Sequence, residues 1–215
     1  MTIRPLYSLA DMRCVEEVQR LTWGCSDREL VPSHLLLASA QHACLLGAFE
    51  DNQLIGYVYG FIGPGYLYSH LAAVRPHYRG RGFGTALKQA QADWAWERGL
   101  QRIVWLFDPL QGQNARLSIG ILGATAGRYF VDHYGELDDD LNRGIPTDRL
   151  EVDWWLDARP RRPRAEPFTF PWPLNDKERL LWRKRMREQF QEHFARGLEV
   201  VEFQLDKTKA VYWFG

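Results

Sequence analysis

Between Arg79 and Gly84 the chain reads Arg-Gly-Arg-Gly-Phe-Gly, a glycine at every second position. Lacking a Cβ, Gly80, Gly82 and Gly84 permit positive φ and close approach of the backbone to a ligand. From Phe83 onward, Phe83, Ala86, Leu87, Ala90 and Trp94 recur at helical spacing, and Gly99 supplies a stop. A helix that opens at such a turn aims its free N–H groups and the positive end of its dipole into the space above it. An anion, a pyrophosphate above all, is the natural occupant. Arg79 and Arg81 add fixed charge with forked donors. Two solvated arginines on a tight turn are the plainer alternative.

The turn needs a strand behind it. Leu71 to Val74 is a short apolar run bounded by Pro76, which suits a buried strand. The unit is thus strand, glycine-rich turn, helix. It lacks the third glycine of the Gly-x-Gly-x-x-Gly dinucleotide fingerprint, having Thr85 there, and the Gly-Lys-Ser/Thr of a P-loop is absent. It resembles instead the acyl-CoA signature of the GNAT superfamily of N-acyltransferases, Arg/Gln-x-x-Gly-x-Gly/Ala, through Arg79, Gly82 and Gly84. The preceding Leu-Ala-Ala-Val-Arg-Pro-His-Tyr is similar to that superfamily's fourth strand and its exit.

Other segments resemble a GNAT group associated with N-acylamino acid racemases, some members of which are similar to amino-acid N-succinyltransferases, D-amino acids included. They are Ser69 to Val74, Phe107 to Leu110 with Asn114-Ala115, His133 to Glu136, Asn142 to Arg149, and Trp182-Arg183 leading to Phe194–Gly197. The resemblance implies an N-acyltransferase that moves an acetyl or succinyl group from acetyl-CoA or succinyl-CoA to a small-molecule amine or amino acid. No metal is implied. The alternative is a non-catalytic acyl-CoA-binding sensor or partner subunit.

Under that resemblance the cofactor residues are Leu71, Ala73 and Val74, whose strand edge would pair with pantetheine amides. With them go Arg79, Gly80, Arg81, Gly82, Phe83, Gly84 and Thr85 around the pyrophosphate. Asn114 matches an asparagine that bonds pantetheine in such enzymes, and it equally fits a helix N-cap. Strand alternation puts Tyr68, His70 and Ala72 on one face. There His70 is either the base for the acceptor amine or a packed structural histidine. Related enzymes carry a tyrosine about seven residues after the asparagine; here Ile119-Gly120-Ile121 stand there. Tyr134 is the candidate acid for the thiolate, with Tyr129 behind it; core or loop tyrosines are the alternative. For an acceptor carboxylate, Arg143 and Arg149 offer bidentate geometry, with Tyr68 alongside. Arg149 could equally pair with Asp148 or Glu151 and pin its loop.

Composition sets the frame. The chain has 215 residues, 46% hydrophobic, with 27 basic and 27 acidic side chains. Zero net charge argues against a general nucleic-acid binder. Cys14, Cys25 and Cys44 lack Cys-x-x-Cys spacing and read as reduced thiols. The start Met-Thr-Ile-Arg-Pro-Leu shows no secretory h-region, and no apolar run suits a membrane span. A cytoplasmic protein is expected, with a homodimer left open.

The expected fold class is α/β, an α+β mixed sheet of the GNAT kind with a C-terminal helix-hairpin extension. Residues 1–157 would form the acyltransferase core. Residues 158–173, with Arg159, Arg161, Arg162, Arg164 and several prolines, would be an extended linker. Residues 174–215 would form a helix with the apolar face Leu180, Leu181, Met186, Phe190 and Phe194, then a hairpin around Asp206 to Lys209. In the core the order is strand Thr2–Leu6, helix Leu9–Trp23 capped by Ser8, and helix Pro32–Ala43. Strands Cys44–Glu50, Leu54–Ile62 and Tyr66–Val74 follow, then the turn and its helix. Strand Ile103–Phe107, a helix opened by Asn114, and strands Ala126–Tyr134 and Leu150–Leu156 complete it.

Overall fold

The computed structural model describes every residue except Ala158 and Arg161, so the linker reading of those two lies outside the described residues. The chain has a mixed α/β fold and divides into two compact units. The first comprises Met1–Ile103 with Asp138–Leu141, and the second Val104–Leu137 with Asn142–Gly215.

In the first unit β1 (Thr2–Pro5), β2 (Cys44–Glu50), β3 (Gln53–Gly63) and β4 (Tyr66–Val74) form an antiparallel meander in that order. Asp51 and Asn52, both at positive φ, make the tight β2–β3 hairpin. Helix α1 (Leu9–Trp23) opens with a Ser8–Asp11 capping box. The shorter α2 (Ser33–Ser39) stops well before the expected Ala43. Both cover a core of Leu6, Met12, Val15, Val18, Leu36, Leu45, Tyr57 and Tyr59. Helix α3 (Phe83–Trp96) lies against the strands' other face, where Gly56 leaves room for Leu87. Its buried stripe is Phe83, Leu87, Lys88, Gln91, Ala92 and Ala95, so two polar residues stand where the sequence pattern put Ala90 and Trp94.

In the second unit β5 (Arg102–Phe107, of which Val104 onward belongs here) is followed by α4 (Gly112–Ala115) and a π-helical stretch (Arg116–Ile121). Strands β6 (Thr125–Phe130), β7 (Arg149–Trp155), β8 (Glu166–Pro171), β9 (Val200–Leu205) and β10 (Lys209–Phe214) complete it, with α5 (Asp176–Ala195) between β8 and β9. Their order is β5-β7-β6-β9-β10-β8.

Residues 166–171, expected to be linker, instead form a strand hydrogen-bonded to β10. Phe168 and Phe170 alternate into the aromatic core, while Pro167 and Pro171 sit at the ends of a strand that closes the order, where a missing N–H costs no ladder bond. The inward face of α5 also differs from expectation. Leu180 and Leu181 are exposed, whereas Arg183, Met186, Phe190 and His193 are buried. Phe190 is the hub, with its ring 5.0 Å from Tyr212, 5.1 Å from Phe214 and 5.7 Å from Tyr129. No helix among the described residues is long and apolar enough to cross a membrane.

Candidate functional site

The first unit brings the glycine turn, α3 and β4 together. Strand β4 runs through the 3₁₀ turn Pro76–Tyr78 into Arg79–Gly82, and α3 starts at Phe83 with Gly82 as its N-cap. Gly80 (φ 77°) and Gly82 (φ 86°) are left-handed, and a Cβ built on either would meet no atom within 4 Å. Conformation therefore demands glycine there, and the space above the turn is open. Gly84, expected to share this role, is an ordinary residue of the first helical turn. The helix has no side-chain cap among the described residues, so the N–H groups of Phe83, Gly84 and Thr85 face outward, as an anion requires. Phe83 turns its ring inward and is buried; Thr85 is half-buried.

The two arginines differ. Arg79 lies along the strand exit, its Nε donating to the Val74 carbonyl at 3.3 Å and its Nη2 to that of Thr22 at 3.4 Å. Arg81 forks onto Glu50 and lies over the Tyr78 and Phe83 rings. The positive charge expected at the turn is therefore partly met from within the fold.

Strand β4 carries a feature that period-two reading misses. Its pairing with β3 passes from Leu71 opposite Tyr59 to Ser69 opposite Gly60. His70 is thus the extra residue of a β-bulge, whose backbone groups leave the ladder. Tyr68 and His70 do share a face, as alternation expects, with ring centroids 6.3 Å apart. Phe61 lies 5.3 Å from Tyr68 and 5.9 Å from His70, and Tyr59 lies 6.1 Å from His70. One edge of His70 is exposed, but packing among these rings lowers its pKa, because the charged form loses water. Near neutral pH the imidazole is uncharged and able to accept a proton. Leu71 and Val74 are half-buried and Ala73 belongs to the core, so only its backbone is placed to meet a ligand.

The remaining expected site residues, Asn114, Tyr134, Arg143 and Arg149, belong to the second unit. Asn114 is exposed and sits inside α4, whose N-cap is Gln111; the capping alternative is thereby removed. The Tyr134 amide donates to Thr147 Oγ1, and its partly exposed ring lies 4.6 Å from His133. Arg143 is exposed. Arg149 is buried, donates from Nη1 to the Asp148 carbonyl and from Nη2 to Asn142 Oδ1, and lies over the Tyr134 ring. Asp148 takes both nitrogens of Arg187, the Tyr129 hydroxyl and the Asp132 amide, which hold its carboxyl below the usual range. Burial and that carboxylate push the Tyr129 hydroxyl far up.

Sequence reasoning missed the buried polar group behind β4: Lys88, Ser69 and Gln91. The available signal was a lysine at position 88 and a glutamine at 91, on the face marked by Leu87 and Ala95.

Residues 11–116 match the model of the Acetyltransferase (GNAT) family. No curated protein matches the chain. Among solved structures, the ribosomal-protein-S18-alanine N-acetyltransferase of Escherichia coli aligns with TM-score 0.58 at 12% identity, covering 74% of this chain and 96% of that one. The PaiA N-acetyltransferase of Thermoplasma acidophilum, solved with coenzyme A, aligns at 0.54 and 18%, covering 72% and 98%. YncA of Salmonella typhimurium, named as an acetyltransferase and solved with acetyl-CoA, aligns at 0.61 and 19%, covering 77% and 99%. The mixed α/β fold, with a mixed sheet and, among the described residues, five α-helices, matches that of GNAT acetyltransferase structures. The family match takes in just under half of the chain, and these structures, all under 20% identical to it, share its fold.

Proposed function

We propose that this chain is an acetyl-CoA-dependent N-acetyltransferase acting on an amine. The observation that carries the reading is the uncapped N-terminus of α3 above two left-handed glycines, leading directly from the strand that bears the His70 bulge. The donor supplies an activated acyl thioester. The N–H groups of Phe83, Gly84 and Thr85 hold its pyrophosphate, and β4 offers backbone partners to the pantetheine amides. The bulge amide, out of the ladder, is available to a developing oxyanion. Neutral His70 takes a proton from the acceptor ammonium, directly or through water.

Finer readings follow from the likeness to acyltransferases associated with N-acylamino acid racemases: an amino-acid acceptor of either hand, or a succinyl donor. Tyr59, Phe61 and Tyr68 around His70 give uncharged walls, which suit acetyl better than a carboxylate-bearing acyl group. An amino-acid carboxylate would call on Arg143 or Arg149; Arg143 is exposed, whereas Arg149 is buried and donates to Asn142 Oδ1 and to the Asp148 carbonyl. The neighbour named for the alanine of ribosomal protein S18 adds proteins to the acceptor classes.

The test is calorimetry of acetyl-CoA with the wild type and Gly82→Asp, followed by mass spectrometry of products from an acceptor panel of amines, D- and L-amino acids and alanine-ended peptides. Binding by the wild type, loss in the folded variant and an acetylated amine support the reading. Equal affinity in both proteins removes it. Binding without any acetylated product leaves an acyl-CoA-binding protein without turnover.

A further inference from the structure

On the α3 side of β4, facing away from the His70 ring, a polar cluster interrupts an apolar layer. Lys88 is only 3% exposed, and its Nζ donates to Ser69 Oγ at 2.7 Å and to Gln91 Oε1 at 3.2 Å. Ser69 and Gln91 are themselves buried, and the Cys44 thiol lies beside Gln91. Leu87, Ala92 and Ala95 of the same helix are buried with them. A leucine or methionine would fill such a position without the cost of desolvating an amine. Burial lowers the Lys88 pKa to about 7, and it pushes the Cys44 thiol up to about 12, so the thiol offers no countercharge near neutrality.

What the lysine holds is the bulge. Ser69 pairs with Gly60 at the register shift, and His70 is the next residue. A Cβ on Gly60 would stand 2.7 Å from the Tyr68 carbonyl, 3.2 Å from Ser69 Cα and 3.3 Å from Gln91 Nε2, so strand and helix pack tightly here. Apolar packing lets a strand slide or twist by small amounts; a hydrogen bond to one hydroxyl fixes one residue. A buried polar contact is best attested as a register device of this kind.

We propose that Lys88 is a positioning residue for acyl transfer: its bond to Ser69 locks the β4 bulge to α3, and so sets the direction of the His70 ring and backbone on the opposite face. The catalytic consequence rests on the function proposed above; the structural one does not. The bond joins the helix whose N-terminus would hold the donor to the strand residue next to the one that would face the acceptor. An error in one would otherwise pass into the geometry of the other.

The test uses the full chain as Lys88→Met, Ser69→Ala and the double variant. The His70 imidazole is titrated by NMR in each, acetyl-CoA affinity is measured by calorimetry, and thiol release is followed with acetyl-CoA and the acceptor panel. Each single variant should move the His70 titration and its ring shifts similarly, and the double variant no further than either. Turnover should fall roughly ten- to a hundredfold, as for a misplaced reacting group, with acetyl-CoA affinity within about twofold of wild type. A folded Lys88→Met or Ser69→Ala protein with His70 titration and turnover unchanged overturns the proposal, as do additive effects in the double variant. Should Lys88→Met not fold, Ser69→Ala, which loses only a hydroxyl, decides. Failure of the wild type to bind acetyl-CoA would sink the site reading alone, because the NMR comparison still reports whether the lysine holds the bulge.

Discussion

Arg81 Nη2 lies 2.9 Å from Glu50 Oε1 and 3.0 Å from Glu50 Oε2, tying the glycine turn to the end of β2. The arginine of the turn thus arrives partly neutralised. Its side chain is half exposed, so the pair is screened and its net worth is about 0–1 kcal/mol. Removing the carboxylate should release the guanidinium for phosphate. Glu50→Gln is expected to tighten acetyl-CoA binding about two- to fivefold at low salt, with the gain shrinking as ionic strength rises. Calorimetry at two salt concentrations checks it. Weaker binding would mean that Glu50 orients Arg81 and that orientation matters more than charge.

Lys88 gives stability a pH dependence with a definite sign. Its pKa is about 7 in the folded protein against 10.5 for the free side chain, so the unfolded chain binds the extra proton between those values. Folding stability from this residue therefore rises with pH above 7 and is lost as pH falls back to 7. Below 7 both states are charged and the contribution is constant. Ser69 and Gln91 do not titrate, but Cys44 does, and its raised pKa acts in the opposite sense above about 9. Between pH 7 and 9, urea unfolding of the wild type should gain up to about 1.4 kcal/mol per pH unit relative to Lys88→Met. Parallel curves for the two proteins would show that Lys88 stays charged when folded.

How much of this could be read from residues alone depends on the range of the interaction. The turn was legible because glycine, arginine and helix periodicity act within ten residues. The shared face of Tyr68 and His70 followed from strand alternation. The bulge at His70 did not, since it exists only in the pairing with Tyr59 and Gly60. Strand β8 hid behind its prolines, because its partner β10 lies some forty residues on and only an edge position makes prolines tolerable. Likewise the apolar face read for the last helix took in Leu180 and left out Arg183, which is buried because Asp108, far away in sequence, supplies its partner. Polar residues on buried faces are decided by partners, which single-chain periodicity does not contain.

That pair makes its own prediction. Arg183 is fully buried and donates from Nη2 to Asp108 Oδ1 at 2.7 Å, while Asp108 Oδ1 also takes the Leu110 amide at 2.9 Å. Arg183 Nε and Nη1 and Asp108 Oδ2 have no partner among the described residues. The pair is thus incompletely satisfied, yet breaking it is costly because the surviving charge stays buried. Arg183→Met should destabilise by about 3–5 kcal/mol in chemical denaturation. Adding Asp108→Asn should recover part of that loss. No recovery would show that the arginine's own packing, and not the charge left behind, sets the cost.

The last expectation concerns His70 and proton transfer. Packing among Tyr59, Phe61 and Tyr68 lowers its pKa below the free value of 6.5. Above 6.5 it is neutral and can accept a proton; as pH falls through the lowered folded value it becomes charged and cannot. An acid limb in kcat/KM with its midpoint below 6.5 is therefore expected, and a flat response through the neutral range from this group. The acceptor ammonium titrates in any variant, so it cancels when variant and wild type are compared. His70→Ala should depress the plateau about 10²–10⁴-fold and remove the acid limb, with acetyl-CoA affinity unchanged in calorimetry. Loss of the plateau with the limb retained would assign the limb to another group and leave His70 with orientation alone. A plateau and limb both retained would make it a packed histidine on an aromatic face.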